Sequence, residues 1–356
     1  MGGLSTSARL AAVVVHYGDP APTLRCLDSL AGIDEVILVD QPPRLVGAHP
    51  NVTTRIEPGT NLGFAEGCNR GVAAATAPFV LLLNNDAVLE PGAADALHAD
   101  LSSLAPDVAG ACLKILCMDG ATLQSAGGLW FTRDGIGYPV GFGEPDRGQY
   151  DALPDERVGV PSGAAAVYRT DAWREADGMC ADFFCYCEDG DIGLRMIAAG
   201  WRFAWLPQVK ARHEMSANAG AHSAFKAYQV ERNHFASMVH TAPFASLAML
   251  PPRTLVRVAR AGLDALRGRG AGASLARESS PAALVLTLLR AWMHAFRMMP
   301  AALEVRRSLR LRHRGGRARV ARFLASRGVS LGAFAKARSL PGSGRRKTVA
   351  PPSTAG

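Results

Sequence analysis

The chain lacks the features that would assign a class at a glance. It has no GxGxxG turn and no P-loop, so neither a dinucleotide fingerprint nor a Walker-type phosphate cradle is written in it. It has no internal repeat, which sets aside solenoids and propellers. Its 7 cysteines are odd in number and irregularly spaced, which argues against a disulfide framework and for free thiols in a reducing compartment. No run of about 20 apolar residues is free of charge, so no membrane-spanning helix is expected. Ala11 to Val15 is far too short to be the core of a secretory leader. Acidic residues become scarce after about residue 240, where Arg takes over.

What is present is a chain of 356 residues with 48% hydrophobic content, enough for one sizeable α/β domain and a smaller appendage. A net charge of +8 suits anionic partners, whether nucleotides, anionic lipids or nucleic acid. Three short β-branched or Leu-rich runs read as strands buried on both faces: Ala11–Val15, Val36–Val39 and Phe79–Leu83. A helix with Leu24, Leu27 and Leu30 on one stripe follows the first. Strands alternating with helices imply βαβ units and a mainly parallel sheet. Residues 115 to 160 are rich in Gly, Asp and Pro and read as hairpins and a loop. Val158–Val167 and Trp201–Leu206 are further strands, and Asp191–Ala199 is a helix closed by Gly200.

Past residue 240, Ala282–Met299 is apolar but interrupted by Arg290, His294 and Arg297, the pattern of an amphipathic helix lying on a membrane surface. An Arg run follows, from Arg306 to Arg322. These shifts divide the chain into a catalytic domain over 8–240, a basic helical extension over 241–338 and a disordered tail over 339–356. A solvated Arg face packed on the domain is the alternative reading of the extension.

Polar clusters just past strand ends are where open α/β sheets bind ligands. Asp40 stands at the end of the second strand, where a carboxylate can accept from a nucleobase imide or a ribose hydroxyl, or simply form a turn before proline. Asn61-Leu62-Gly63-Phe64-Ala65, with Asn69 and Gly71 beyond, is a glycine-bearing loop that lets backbone approach a ligand or merely feeds a helix. Asn84-Asn85-Asp86 follows the third strand, and its carboxylate can hold a divalent cation through hard oxygen contacts. Phe183-Phe184-Cys185-Tyr186-Cys187-Glu188-Asp189-Gly190-Asp191 packs acids between aromatics and a helix. Such acids serve a cation, a proton transfer or a helix N-terminus. Asp191 can cap its helix, whereas Glu188 and Asp189 are harder to explain that way. His213 lies at the end of the last strand.

In this order the clusters resemble the family 2 glycosyltransferases, in particular the bacterial branch related to rhamnosyl- and galactofuranosyltransferases. The resemblance covers roughly residues 10 to 235. It runs through Val13–Tyr17, Leu38-Val39-Asp40, Asn61–Phe64 with Asn69, and Leu82–Asp86. It continues through Ser162-Gly163-Ala164, Phe184–Asp191, Arg195, Gly200, His213 and Arg232-Asn233. It implies a GT-A fold, a Rossmann-like nucleotide half joined to an acceptor half in one mainly parallel sheet flanked by helices. It also implies a Mg or Mn ion. Asp86 would contact the metal, together with His213. Asp40, Asn61, Gly63, Asn69, Asn84 and Asn85 would line the donor. Gly163, Glu188 and Asp191 would lie toward the acceptor, and Asp189 would be the catalytic base.

The sequence departs from the family in having Asp40-Gln41-Pro42-Pro43 where Asp-Asn-x-Ser is common, and Asn84 at the first acidic position of the metal element. The implied reaction is inverting transfer of a sugar, rhamnose first, from a nucleotide-diphosphate donor to a glycan or polyprenyl-linked acceptor. The enzyme would be cytoplasmic and peripheral on the inner face of the plasma membrane, held by its basic helices. No nucleic acid is expected as a partner. Alternatives left open are an inactive relative, a basic membrane- or nucleic-acid-binding protein, a nucleotidyltransferase, and a zinc site from Cys180, Cys185, Cys187 and His213.

Overall fold

The computed structural model describes residues 9–45, 47–214, 223–267 and 280–330; the tail expected over 339–356 lies outside them. Strand β1 (Leu10–His16) is buried along its whole length, as its Ala and Val residues require of a strand covered on both faces. Helix α1 (Pro20–Asp28) is capped by Asp19, whose side chain accepts from the Ala21 N–H. Its expected stripe holds only in part. Thr23, Cys26 and Leu27 face inward, whereas Leu24 is exposed and Leu30 lies beyond the helix.

Strands β2 (Glu35–Asp40) and β3 (Thr54–Ile56) lie successively outward from β1 and parallel to it. Helix α2 (Gly63–Ala74) returns the chain to β4 (Phe79–Leu83), on the other side of β1. Glycines let α2 lie close on the sheet. A Cβ on Gly67 would stand 2.7 Å from Val15 Cγ1, and one on Gly71 only 2.2 Å from Val13 Cγ1.

The second half of the sheet is mixed. It contains β5 (Ala87–Leu89), β6 (Val108–Cys117), β7 (Leu123–Ser125), β10 (Ala165–Arg169) and β11 (Arg202–His213). Among the described residues the sheet has nine strands in the order β3-β2-β1-β4-β10-β6-β11-β5, with β7 on β6. Strands β10, β5 and β7 run against the rest. One apolar cluster fills each face: Val13, Val15, Val80 and Leu82 point to one, Ala12, Val14, Leu81 and Leu83 to the other. This is the α/β, mainly parallel architecture expected.

Helix α3 (Ala93–Ser102) packs beside β11. Strands β8 (Leu129–Thr132), β9 (Gly137–Pro139) and β12 (Gly328–Val329) form a small separate sheet. The strand expected over Val158–Val167 begins only at Ala165; before it the chain makes a single bridge from Val160 to Leu129, where Gly159, Pro161 and Gly163 interrupt a ladder. The strand expected over Trp201–Leu206 instead runs on to His213, with a register shift between Leu206 and Lys210 spanning Pro207.

Helices α4 (Thr170–Glu175) and α5 (Glu188–Ala199) lead to α6 (Ala224–Thr241). The chain then forms α7 (Phe244–Ala248), α8 (Leu250–Leu266), α9 (Pro281–Arg297), α10 (Met299–Arg312) and α11 (Gly316–Ser326). Helices α9 and α10 pack on α6, and α11 packs on α5. The basic run is therefore not one solvated face. Arg306 is buried and donates to the carbonyls of Val239 and Ala242, Arg319 donates to Ala198 O, and Arg312 pairs with Asp177. Arg257 of α8 is likewise held by Asp134 and Glu231. Among the described residues no helix is long and apolar enough to cross a membrane.

Candidate active site

The sheet register gathers the predicted carboxylates. Asp86 follows β4, and β10 starts beside the end of β4, pairing Ala165 with Leu83. The Asn84 N–H donates to Ala164 O at 3.0 Å, which brings Gly163 to the same strand tips. Gly163 N–H then donates to Asp189 Oδ2 at 2.9 Å. His213 closes β11 opposite Ala87 of β5. Residues separated by more than a hundred positions thus meet at one end of the sheet, where a parallel sheet offers its ligand-binding edge.

Asp86 and His213 form the first group. His213 Nε2 lies 2.9 Å from Asp86 Oδ1 and 3.2 Å from Asn84 Nδ2, and its Nδ1 meets the Gln124 amide at 2.8–3.0 Å. Gln124 fixes the ring, as outer partners do for a histidine that binds a metal. Asn84 Oδ1 is buried without a hydrogen-bond partner. A carboxylate, an imidazole nitrogen and an unsatisfied amide oxygen make a donor set suited to Mg or Mn. Among the described residues, no three His, Cys, Asp or Glu side chains form such a group by themselves, so the set depends on Asn84. The cysteine-based zinc site is not assembled there; His213 is engaged by Asp86 and Gln124 instead.

The second group is Glu188-Asp189 at the start of α5. Asp189 is half-buried, and its two oxygens accept from the N–H groups of Gly163 and Gly190. Burial pushes its carboxyl above the ordinary range, although these N–H groups pull it back. Glu188 is buried, its Oε2 has no partner, and burial together with the Asp189 charge lifts it to about 8. Of the pair, Asp189 has the two backbone donors that favour a charged carboxylate, whereas Glu188 Oε2 has none, so Asp189 is the better placed to carry the charge and accept a proton.

The other predicted positions have partners within the protein. Asp40 is fully buried, its oxygens taken by the Arg55 guanidinium and the Leu45 N–H. Asn61 accepts from the Gly63 N–H, and Gly63, at φ +80°, lies where a Cβ would be 2.5 Å from the Phe184 carbonyl. Its close approach is to the acid-bearing loop of the chain itself. Asn69 ties α2 to the Met179 backbone with two bonds of 2.8 Å. Asn85 donates to Thr23 Oγ1 at 3.0 Å. Thr23 also meets His16 Nδ1, while His16 Nε2 donates to Pro43 O. Burial lowers the pKa of His16 and keeps it neutral. Asp191 does not cap α5. It is fully buried between Arg195 (2.8 Å) and His240 (2.6 Å), which outweigh its burial and bring it down to about 2. Arg55, Gln124 and His240 were not found from the sequence, since their partners are 15, 89 and 49 residues away with no local spacing to mark them.

Residues 43–236 match the family model described as glycosyltransferase like family 2, and the chain belongs to that family. Two curated relatives, from Mycobacterium tuberculosis strains CDC 1551 / Oshkosh and ATCC 25618 / H37Rv, are each 31% identical over 242 residues, covering 59% of this chain and 78% of theirs. Both are N-acetylglucosaminyl-diphospho-decaprenol L-rhamnosyltransferases. Among solved structures, the Pyrobaculum calidifontis mannosyltransferase PcManGT with GDP-Man and Mn2+ is 18% identical at a TM-score of 0.48, covering 90% of this chain and 87% of its own. S. aureus TarS 1-349 with UDP-GlcNAc is 15% identical at 0.49, covering 90% of each chain. Likeness at that level carries no information about the ligands of this chain.

Proposed function

We propose that the enzyme transfers a sugar, rhamnose first, from a nucleotide-diphosphate donor to a hydroxyl of a lipid-linked N-acetylglucosamine, with inversion at the anomeric carbon. The observation that carries the reading is Asp189, a carboxylate oriented by the Gly163 and Gly190 N–H groups at the strand tips that also bear Asp86 and His213. The names of the mycobacterial relatives support the sugar and the acceptor class.

Asp86, His213 and Asn84 would hold a Mg or Mn ion, whose chemistry is to neutralise charge on the departing diphosphate. Asp189 takes the proton from the acceptor hydroxyl as that oxygen attacks opposite the leaving nucleotide. One carboxylate suffices, because the leaving group is already a stabilised anion; a glycosidase needs a second as acid. Glu188, neutral beside it, adds no second charge to the pocket. Asp40 and the Asn61–Gly63 loop would shape the donor side through the backbone they fix.

The domain reading follows: catalytic residues within 8–240, and a basic helical extension over 241–338. Exposed apolar side chains on α8 (Leu255, Val256, Leu263) and α9 (Val285, Leu289, Phe296), with Arg260 and Arg290 on the same helices, support a peripheral position on an anionic inner leaflet, in a cell-envelope pathway.

The test is incubation with Mn or Mg, a panel of nucleotide sugars and a GlcNAc-diphospho-polyprenol acceptor, with the product analysed by mass and anomeric NMR. A single new sugar of inverted configuration, from dTDP-rhamnose before other donors, is expected. Retained configuration would overturn the base assignment, and no transfer from any donor would overturn the reading.

A further inference from the structure

The loop that presents Asp189 has an unusual backbone. Phe184, Tyr186 and Cys187 have φ of 63°, 70° and 70°, although none is glycine and bulky side chains resist the left-handed region. Cys187 is the residue before α5 and caps it with no side-chain bond. The conformation of this loop therefore decides where the first turn of α5, and Asp189 with it, points.

Contacts from a different helix hold that conformation. Asn233, fully buried on α6, directs its Nδ2 at three carbonyls at once: Phe183 at 2.9 Å, Cys185 at 3.0 Å and Tyr186 at 2.8 Å. Its Oδ1 accepts from Arg232 Nε at 2.8 Å, which fixes which end of the amide faces the loop. Arg232 itself donates to the carbonyls of Asp182 and Phe183. On the far side the Phe184 carbonyl accepts from the Ala65 N–H at 3.1 Å. Three carbonyls turned toward one point repel one another unless a donor sits among them, and the Asn233 amide is that donor.

We propose that Asn233, oriented by Arg232, is the positioning residue for Asp189: it holds Phe184, Tyr186 and Cys187 at the positive φ that aims the carboxylate at the acceptor hydroxyl. The inference rests on Asp189 being the base. It also gives the C-terminal helices a catalytic consequence. Helix α6 is clamped from behind by α9 and α10, with Arg306 on the Val239 and Ala242 carbonyls, so the extension braces the helix that carries Asn233.

The experiment measures kcat and KM for donor and acceptor in wild type, Asn233→Ala, Cys187→Gly and the double variant, with Asp189→Asn in parallel. Asn233→Ala should lower kcat about 30- to 100-fold, the scale of a misplacement near 1 Å, with donor KM unchanged. Glycine occupies the left-handed region without strain. Cys187→Gly in the Asn233→Ala background should therefore recover kcat at least severalfold, while changing kcat little on its own. A kcat unaffected by Asn233→Ala overturns the proposal. So does a loss that glycine does not relieve, or one in which donor KM rises and thermal stability falls as kcat drops. If Asp189→Asn keeps full activity, the base assignment fails instead, whatever Asn233 does.

Discussion

Glu188 and Asp189 are adjacent, yet their surroundings separate them. Asp189 has two backbone donors and Glu188 has a buried oxygen with none. A buried carboxyl lifted from 4.5 to about 8 holds its proton in the folded state and releases it in the unfolded chain throughout that interval. The folded state thus loses ground as pH rises from 4.5 to about 8 and nothing further beyond. Glu188→Gln removes that loss. Its unfolding free energy should exceed the wild-type value by an amount that grows across this window, on the order of a few kcal/mol at most, in denaturant titrations at several pH values. A difference independent of pH would contradict the assignment. Asp191 has the opposite sign. Its contribution is complete above its ordinary value of 3.8 and fades as pH falls through about 2. Asp191→Asn, which leaves Arg195 buried without its counter-charge, should cost about 3–5 kcal/mol at neutral pH by the same titration.

At the scale of elements, α2 reaches β1 through Gly67 and Gly71, four positions apart and so on one helix face. Gly71→Ala should destabilise the fold by about 1–3 kcal/mol through overpacking against Val13, read as a lowered Tm; an unchanged or raised Tm would mean that the helix can lift off freely. The strands were legible because buried parallel strands are short apolar runs, and β4 spans the expected Phe79–Leu83. The strand expected from Val158 was misjudged because an apolar run broken by Gly159 and Pro161 can be extended without joining a ladder. Among site residues, the strand-tip acids were readable in order. The partners that decide their state were not: Arg55 on Asp40, Gln124 on His213, and Arg195 with His240 on Asp191 come together only through the fold. The close approach of Gly63 to the Phe184 carbonyl was not legible either, since nothing near it in sequence marks a neighbour more than a hundred positions away.

For the whole molecule, the C-terminal helices face two ways. Their inner side is bound to the catalytic domain through Arg306, Arg319 and Arg257, while α8 and α9 leave apolar residues exposed beside other arginines. Sedimentation with vesicles should show binding to anionic but not neutral lipid, weakening with salt, and the paired change Val285→Ser and Phe296→Ser should reduce it without loss of folded stability. Equal binding to neutral vesicles would remove the role of the arginines, and no binding to anionic ones would remove the membrane role and leave the helices as a brace for α6.

The central claim is that Asp189 removes the acceptor proton at a donor site it does not itself build. Its most direct test pairs the turnover of Asp189→Asn with donor affinity measured by calorimetry in the presence of Mn. The account predicts a loss of transfer of about 10²- to 10⁴-fold with donor affinity unchanged. Turnover retained near the wild-type rate would contradict it.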